Sequence, residues 1–130
     1  MNKFFVYGTL KVGGHFAKGF DHVRQHSVAA TISGFDLYKV SGSFPGIVKG
    51  TGTVIGELHT YTPESEAAVL RGMDTIEGYR ETDVEGSFYK RQVVDVNLPD
   101  GTTEKAFVYV FNRPARGRYE KVKDGNWPIK

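Results

Sequence analysis

The sequence predicts a single α+β domain in which about six or seven strands curl into a barrel, with a helix packed beside them. Segments of aromatic and β-branched residues alternate with turn residues, and the 16 glycines and 13% aromatic content are typical of strands joined by tight turns. One segment instead has the apolar spacing of a helix. Few predicted strand edges carry charges, which favours a closed sheet. A chain of 130 residues fits one such domain, over residues 1–130.

Composition and charge exclude several classes of function. The net charge of +2 is too small to favour binding to nucleic acid or to an anionic membrane, and the basic residues of the 113–123 tail are interspersed with acids. The absence of cysteine excludes disulfides, thiolate metal sites and a cysteine nucleophile. No apolar run approaches the roughly 20 residues of a membrane helix, and the N-terminal run is too short for a signal peptide. We therefore expect a cytoplasmic protein, and its oligomeric state stays open.

The first strand is predicted over residues 3–7, because the aromatic and β-branched residues 4–7 follow one another without a charge. Gly8 ends this strand, since glycine admits backbone conformations that are closed to other residues. With Gly13 and Gly14 nearby, the turn could direct several backbone N–H groups into one concavity that binds a carboxylate or an oxyanion. The alternative is a tight turn that only leaves a core strand. On the first interpretation, Gly8→Ala would impair binding more than stability.

The middle of the chain predicts further short strands separated by turns. A short helix is predicted over residues 15–23, and strands over 28–32, 35–40 and 53–61. Turns are predicted at 33–34, 41–43 and 50–52 because glycine and serine cluster there. Gly56 lies inside the last strand and indicates a bulge or a close approach of another backbone.

The clearest helix is predicted from Thr62 and Pro63 to Gly78. Threonine suits the N-cap, proline suits the first helical position, and glycine is the natural stop. A buried stripe is predicted from the three- and four-residue spacing of Val69, Leu70, Met73 and Ile76. Glu77 would therefore be the last residue of the helix, beside the end of its apolar face.

A β-hairpin is predicted after this helix. Its strands cover residues 88–98 and 105–111, and the turn is Pro99-Asp100-Gly101-Thr102. The second strand has apolar residues on both faces, so we expect it to be covered on both sides.

Glu77 is the strongest candidate for acid/base chemistry. Burial and the negative end of the helix dipole would both raise its pKa, and a glutamate tuned towards about 6–7 suits catalysis near neutral pH. The alternative is a surface glutamate at a fraying helix end, and Asp74 is a competing candidate one turn earlier. Tyr89 and Arg91 share one strand face, where they would enter the same pocket or form a pair on the outer surface.

The histidines predict no metal site. His22 and His26 are four residues apart and would share a helical face, a spacing that some zinc sites use. No glutamate of the H-E-x-x-H pattern accompanies them, so exposed or capping histidines are the favoured interpretation.

Three parts of the chain resemble the gamma-glutamylcyclotransferase-like family. Residues 7–11 (YGTLK) are similar to its Y-G-[ST]-L-x signature, and residues 44–48 (FPGIV) with 54–58 (VIGEL) resemble its middle section. Residues 73–78 (MDTIEG) with 88–91 (FYKR) are similar to its D-x-x-E-G…Y-x-R segment. The segments occur in the family's order across nearly the whole chain, with the gamma-glutamylamine cyclotransferase-like subgroup among those that fit.

The resemblance implies a small mixed β-barrel with flanking α-helices, and it implies that Glu77 is the catalytic acid/base. The substrate-binding residues that it implies are Tyr7, Gly8, Thr9, Leu10 and Tyr89. The implied reaction closes a small-molecule gamma-glutamyl amine or peptide to 5-oxoproline and releases the free amine. Because the substrate's own amine attacks, this chemistry needs no metal and no cofactor. The alternative is a non-catalytic module that binds a small amino-acid-like carboxylate ligand or a partner's tail.

Overall fold

The structure, a computed structural model, describes residues 1–14, 16–41, 44–113 and 119–127. Within these residues the strands are β1 (Lys3–Val6), β2 (Arg24–Ser41), β3 (Phe44–Tyr61), β4 (Tyr89–Asn97), β5 (Thr103–Phe111) and β6 (Glu120–Lys121). The α-helix is α1 (Glu66–Glu77), and short 3-10 helices cover Ala17–Val23 and Pro63–Ser65. In this part of the chain no helix is long and apolar enough to cross a membrane.

Five of the strands close into a mixed β-barrel. The strands follow the order β3-β1-β5-β4-β2, and β2 pairs with β3 to complete the circle, while β6 lies outside on β2. β1 runs parallel to β5, with Phe4 opposite Phe107, and the other pairs of barrel strands are antiparallel. The predicted α+β barrel is confirmed, with one α-helix in the described part of the chain.

The barrel has an apolar interior and a second apolar layer outside it. Alternation along β1 sends Phe5 into the interior and turns Phe4 outward, where its cluster includes Val69 and Met73 of α1. β5 divides in the same way between the two layers. Both faces of β1 and β5 are therefore buried, as predicted for β5, and α1 packs against the outside of the barrel.

The predicted turn at residues 33–34 is wrong, because β2 passes through it. The pairing of β2 with β3 shifts register between Ser33 and Phe35, and Gly34 takes a φ of 85°. A bulge of this kind bends a strand and increases its twist without ending it. Such a bend is what a long strand needs in order to follow a small barrel.

The predicted turn at residues 50–52 is also wrong, and the reason is a contact with the neighbouring strand. Asp36 on β2 accepts a hydrogen bond from the Gly52 N–H at 3.0 Å. A Cβ at Gly50 would lie 2.2 Å from the same carboxylate. The glycines make room for a side chain, so β3 continues through them. The predicted loop at 41–43 lies largely outside the described residues, as do residues 114–118 of the basic tail.

The predicted helix begins and packs slightly differently from expectation. Residues 63–65 form a 3-10 turn and the α-helix starts at Glu66. Gly78 ends it in the left-handed conformation, with φ 67° and its N–H bonded to the carbonyls of Asp74 and Thr75, as predicted. Val69 and Met73 are buried, whereas Ile76 is exposed and does not complete the predicted stripe. The predicted helix at 15–23 is a 3-10 helix in the part that the structure describes.

The predicted hairpin is confirmed with strand ends shifted by one or two residues. β4 and β5 pair in register from Tyr89 with Phe111 to Asn97 with Thr103. Gly101 has a φ of 87° in the turn, and the Leu98 N–H donates to the Thr102 carbonyl at 2.9 Å. A left-handed residue at this point is what the aspartate-glycine pair predicts.

We expect Gly56→Ala to lower the free energy of unfolding by about 1–3 kcal/mol, the usual cost of overpacking. A Cβ at Gly56 would lie 2.3 Å from the Val6 carbonyl oxygen and 2.7 Å from the Phe5 ring, which confirms the predicted close approach. Chemical denaturation measures the change. Gly19→Ala is the matched control, because a Cβ there meets nothing within 4 Å. Equal stabilities of the two variants would contradict this packing.

Candidate active site

A cavity opens where the end of β1, the start of β3 and the end of α1 meet. Its volume is about 60 Å³. The residues that line it come from six parts of the chain and are mostly aromatic or apolar, with backbone from the loop after β1. They are Phe5, Val6, Tyr7, Gly8, Thr9, Leu10, Phe16, Phe44, Pro45, Ile76, Glu77, Tyr89 and Tyr109. All six predicted site residues are among them.

Glu77 contributes the cavity's carboxyl group. It is the last residue of α1, and the turn at Gly78 that ends the helix leaves its side chain against the cavity. Burial raises the pKa of Glu77 from its ordinary value of 4.5 to about 7. Within the described residues the carboxyl group makes no hydrogen bond or ion pair, so both oxygens are available to a ligand. A carboxyl with this pKa takes up and releases protons near neutral pH.

Three tyrosines line the cavity with Glu77, namely Tyr7, Tyr89 and Tyr109, and the hydroxyl group of each donates a hydrogen bond. The Tyr7 hydroxyl donates to the Tyr109 carbonyl at 2.7 Å, and the Tyr89 hydroxyl donates to the Pro45 carbonyl at 2.5 Å. Burial, and after it the negative charge of Glu77, raises the pKa of both Tyr7 and Tyr89 above the usual range. These hydroxyls therefore stay protonated and fix the shape of the cavity.

The loop after β1 contributes Gly8, Thr9 and Leu10 to the lining of the same cavity. Its turns are closed by hydrogen bonds from the Lys11 N–H to the Gly8 carbonyl at 3.0 Å and from the Gly14 N–H to the Lys11 carbonyl at 2.7 Å. The N–H groups of Gly8, Thr9 and Leu10 bond to no other described residue. Amides left unpaired in a partly buried loop are suited to hold a carboxylate or an oxyanion.

The reason that Gly8 must be glycine differs from the prediction. Gly8 is not among the described residues with positive φ, so its backbone is open to other residues. Instead, a Cβ at this position would lie 2.5 Å from Cγ of Pro45. The glycine therefore allows the loop to approach the start of β3 and keeps the cavity narrow.

We expect Gly8→Ala to displace the Pro45 ring, lowering the free energy of unfolding by about 1–3 kcal/mol. The same displacement should raise KM for the ligand of this cavity, because both residues line it. Thermal melting and steady-state kinetics measure the two effects. If KM stays unchanged in a destabilised variant, the loop does not form part of the binding site.

Asp74 and Arg91 lie next to the cavity without lining it. Asp74 accepts hydrogen bonds from the Tyr109 hydroxyl at 2.5 Å and from Arg91, which also binds Glu81 at 2.5 Å. The guanidinium of Arg91 lies 5.1 Å from the ring centre of Phe107. The Asp74 carboxylate is therefore already hydrogen-bonded to Tyr109 and Arg91, and it does not line the cavity as Glu77 does. Arg91 does not enter the pocket with Tyr89.

Comparison with known proteins identifies the family. The sequence profile of the family described as gamma-glutamyl cyclotransferase, AIG2-like, matches residues 4–128. The chain belongs to this family.

Its relatives share the length of the domain as well as its sequence. The gamma-glutamylcyclotransferase family protein YtfP of Citrobacter rodentium is 30% identical over 128 residues, which cover 96% of this chain and 94% of that protein. The solution structure of YtfP from Escherichia coli has a TM-score of 0.62 at 30% identity and covers 96% of this chain and 95% of its own. A structure described as gamma-glutamyl cyclotransferase has a TM-score of 0.54 over 92% of this chain and 68% of its own. Its identity of 14% shows a common fold only.

In this member of the cyclotransferase family, sequence reasoning missed several cavity residues. Tyr109 lies on the predicted strand at 105–111, but the sequence does not show which face of that strand meets the cavity. Pro45 belongs to the segment at residues 44–48, for which the sequence predicts no site residue, although its carbonyl accepts a hydrogen bond from Tyr89 and its ring faces Gly8. Phe44 and Ile76 complete the lining. The signal that the sequence offers for the residues near Pro45 is an aromatic residue directly followed by proline.

The loop after β1 is also hydrogen-bonded to Glu57 of β3, a contact that the sequence did not predict. Glu57 accepts a hydrogen bond from the Val12 N–H at 2.8 Å and lies 2.8 Å from Nε2 of His59. His59 is completely buried and its Nδ1 lies 3.1 Å from the Tyr61 hydroxyl. Burial alone would raise the pKa of Glu57, but the bonds from His59 and Val12 hold it below its ordinary value. The charged carboxylate therefore anchors the loop.

His22 and His26 do not share a helix. His22 lies in the 3-10 helix and His26 in β2, and both are exposed. Across the described residues, no group of three or more histidine, aspartate and glutamate side chains is placed to hold a metal ion.

Proposed function

We propose that this protein is a gamma-glutamyl cyclotransferase in which Glu77 is the general acid/base. The observation that carries the proposal is a half-buried carboxyl group with a pKa of about 7. It lines the same small cavity as Gly8, Thr9 and Leu10, whose N–H groups bond to no other described residue. Membership of the family supports the reaction class. The substrate is a gamma-glutamyl amine or peptide, and the products are 5-oxoproline and a free amine.

The reaction needs few catalytic groups because its two reacting parts are already joined. The neutral α-amine of the substrate attacks its own γ-carbonyl carbon, forming a nitrogen–carbon bond and closing a five-membered ring. Glu77 takes the proton that this nitrogen loses. As the original amide bond breaks, Glu77 returns the proton to the departing nitrogen. Well-oriented intramolecular reactions reach effective molarities on the order of 10⁵–10⁸ M, so holding the substrate folded supplies much of the acceleration.

The amides of the loop after β1 supply the electrostatic part of the reaction. They can bind the substrate's α-carboxylate or stabilise the negative charge that develops on the carbonyl oxygen. Removing one such donor typically costs about 3–4 kcal/mol of transition-state stabilisation. The hydrogen bond from the Val12 N–H to Glu57 helps to hold the loop that carries these donors in place, and such preorganisation is what makes electrostatic stabilisation effective.

The ring hydroxyls limit how the substrate can lie. Tyr7 and Tyr89 donate their protons to main-chain carbonyls and stay protonated, so they offer the substrate apolar rings and hydroxyl oxygens rather than charges. In the proposed complex Tyr89 contacts the glutamyl chain beside Glu77. This leaves Glu77 as the ionisable group that exchanges protons near neutral pH.

Product formation tests the proposal directly. The purified protein is incubated with gamma-glutamyl amides, amino acids and peptides, and 5-oxoproline is followed by ¹H NMR with and without EDTA. We expect 5-oxoproline and free amine to appear in equal amounts and EDTA to have no effect. Ligand-induced stabilisation without product from any compound would instead identify a binding module.

A further inference from the structure

We infer that Asp74 is a positioning residue for Glu77: it holds the hydroxyl proton of Tyr109 away from the Glu77 carboxyl group and leaves that carboxyl free to exchange protons with a ligand. The inference rests on the proposed function and adds to it the residue that keeps the acid/base available. It depends on where three tyrosine hydroxyl groups direct their protons and on how Asp74 is itself held.

The three tyrosines that line the cavity with Glu77 direct their hydroxyl protons to other acceptors. Tyr7 and Tyr89 donate to main-chain carbonyls, whereas Tyr109 donates to Oδ1 of Asp74 at 2.5 Å. A main-chain carbonyl remains when a side chain is replaced. Among these three acceptors, Asp74 is therefore the one that a substitution can remove.

All three hydroxyl groups are close to Glu77, with which these tyrosines share a cavity of about 60 Å³. Burial is the main cause of the raised pKa of Tyr7 and Tyr89, and the negative charge of Glu77 adds to it. The pKa of Tyr109 is raised first by burial, then by its hydrogen bond to Asp74, and to a smaller extent by the charge of Glu77. A Tyr109 hydroxyl that lost Asp74 would therefore find the Glu77 carboxylate as a second acceptor.

A hydrogen bond from Tyr109 would change the acidity of Glu77. Each donor to a carboxylate stabilises the charged form and lowers its pKa by roughly one pH unit. Within the described residues nothing donates to Glu77, and burial raises its pKa to about 7. Of the elements around it, β1 is followed by Tyr7, β4 contributes Tyr89 and β5 contributes Tyr109, while the described lining from β3 carries no titratable group. The direction of the tyrosine protons thus decides how Glu77 titrates.

Asp74 is fixed in this role from its other side. Its second oxygen, Oδ2, accepts a hydrogen bond from Arg91. The guanidinium group of Arg91 lies 5.1 Å from the ring centres of both Tyr79 and Phe107, within the range of cation–π attraction. Little of either ionic side chain is exposed. Arg91 therefore fixes the carboxylate of Asp74, and the remaining oxygen accepts the proton of Tyr109.

Titration of Glu77 tests the inference without requiring turnover. The ¹³C NMR shift of its carboxyl carbon is followed between pH 4 and pH 9 in the wild type, Asp74→Leu, Tyr109→Phe and the double variant. We expect Asp74→Leu, which frees the Tyr109 hydroxyl, to lower the midpoint by about one pH unit. Arg91 keeps Glu81 as a partner in this variant. Tyr109→Phe and the double variant should both titrate close to the wild type, because neither contains that hydroxyl.

The double variant separates this role from a simple effect of charge. Loss of the negative charge of Asp74 would by itself lower the midpoint of Glu77, but Tyr109→Phe could not then restore it. Asp95→Leu is the matched control, because Asp95 is an exposed aspartate paired with Lys105 on the same hairpin. It should leave the midpoint unchanged. In assays of 5-oxoproline formation, the acid limb of the pH profile of kcat/KM should move with the NMR midpoint.

The outcomes separate this inference from the proposed function. An unchanged midpoint in Asp74→Leu, or a double variant that titrates like Asp74→Leu, overturns the inference. If Asp74→Leu does not fold, Tyr109→Phe decides alone: a midpoint that rises by about one pH unit shows that the hydroxyl already bonds to Glu77 in the wild type, which also overturns it. These results leave the cyclotransferase assignment standing. That assignment fails if no compound of the substrate panel gives 5-oxoproline, whatever the titrations show.

Discussion

Glu77→Gln is expected to fold normally and to lose turnover of gamma-glutamyl substrates by at least about 10²-fold, the lower range for loss of a general acid/base. Glutamine keeps the size and the hydrogen-bonding oxygen of the side chain but neither accepts nor releases a proton in this pH range. The loss should fall mainly on kcat, because the substitution leaves the loop amides that we propose as the substrate-binding groups in place. Initial rates of 5-oxoproline formation over a range of substrate concentrations measure it.

The control for this variant is Glu64→Gln. Glu64 is exposed in the 3-10 turn before α1 and lies outside the cavity, so its removal should leave the rate unchanged. Circular dichroism and melting of both variants establish that they fold. A well-folded Glu77→Gln protein that retains full turnover would falsify the proposed role of Glu77.

The same substitution is expected to stabilise the protein above neutral pH. In the folded protein the pKa of Glu77 is raised to about 7 from 4.5, so the folded state holds its proton where the unfolded chain has released it. The wild type therefore loses stability as pH rises from about 4.5 to 7, and the loss persists at higher pH. A shift of this size corresponds to at most about 3 kcal/mol, reduced by the contact that Glu77 retains with water.

Urea denaturation between pH 4 and pH 9 measures this effect. Glu77→Gln cannot ionise, so its free energy of unfolding should exceed that of the wild type at pH 8 and equal it near pH 4. Glu64→Gln should follow the wild type throughout. If the free energies of unfolding of the wild type and Glu77→Gln change with pH in the same way across the whole range, Glu77 is not buried in the folded protein.

Short sequence motifs were sufficient to predict those features that depend only on neighbouring residues in the chain. The helix end at Gly78 followed from a glycine after an apolar stripe, and it fixed Glu77 at the helix terminus. The hairpin after β4 followed from its aspartate-glycine turn. These two elements supply Glu77, Tyr89 and Tyr109 to the lining of the cavity.

Other features depended on contacts with distant parts of the chain. The glycines at 34, 50 and 52 predicted turns, but bulging and the carboxylate of Asp36 keep β2 and β3 continuous. Position 8 requires glycine because a larger side chain would collide with Pro45, which is 37 residues further along the chain. Likewise, the sequence alone makes Asp74 a plausible catalytic acid, whereas in the structure its carboxylate accepts a hydrogen bond from Tyr109, 35 residues further along the chain. A turn signal or a carboxylate in a sequence does not reveal which neighbour it will meet.

Hydrogen bonds to other parts of the chain fix the loop after β1, which lowers the entropy cost of binding a ligand there. Glu57 holds the Val12 amide, and Lys11 is fastened to Asn126 and Trp127 near the end of the chain. These contacts restrict the loop before a ligand arrives, so little chain freedom is left to lose on association. In the proposed function, a small amino-acid derivative can then bind through a few loop amides without the entropy cost of ordering a flexible loop.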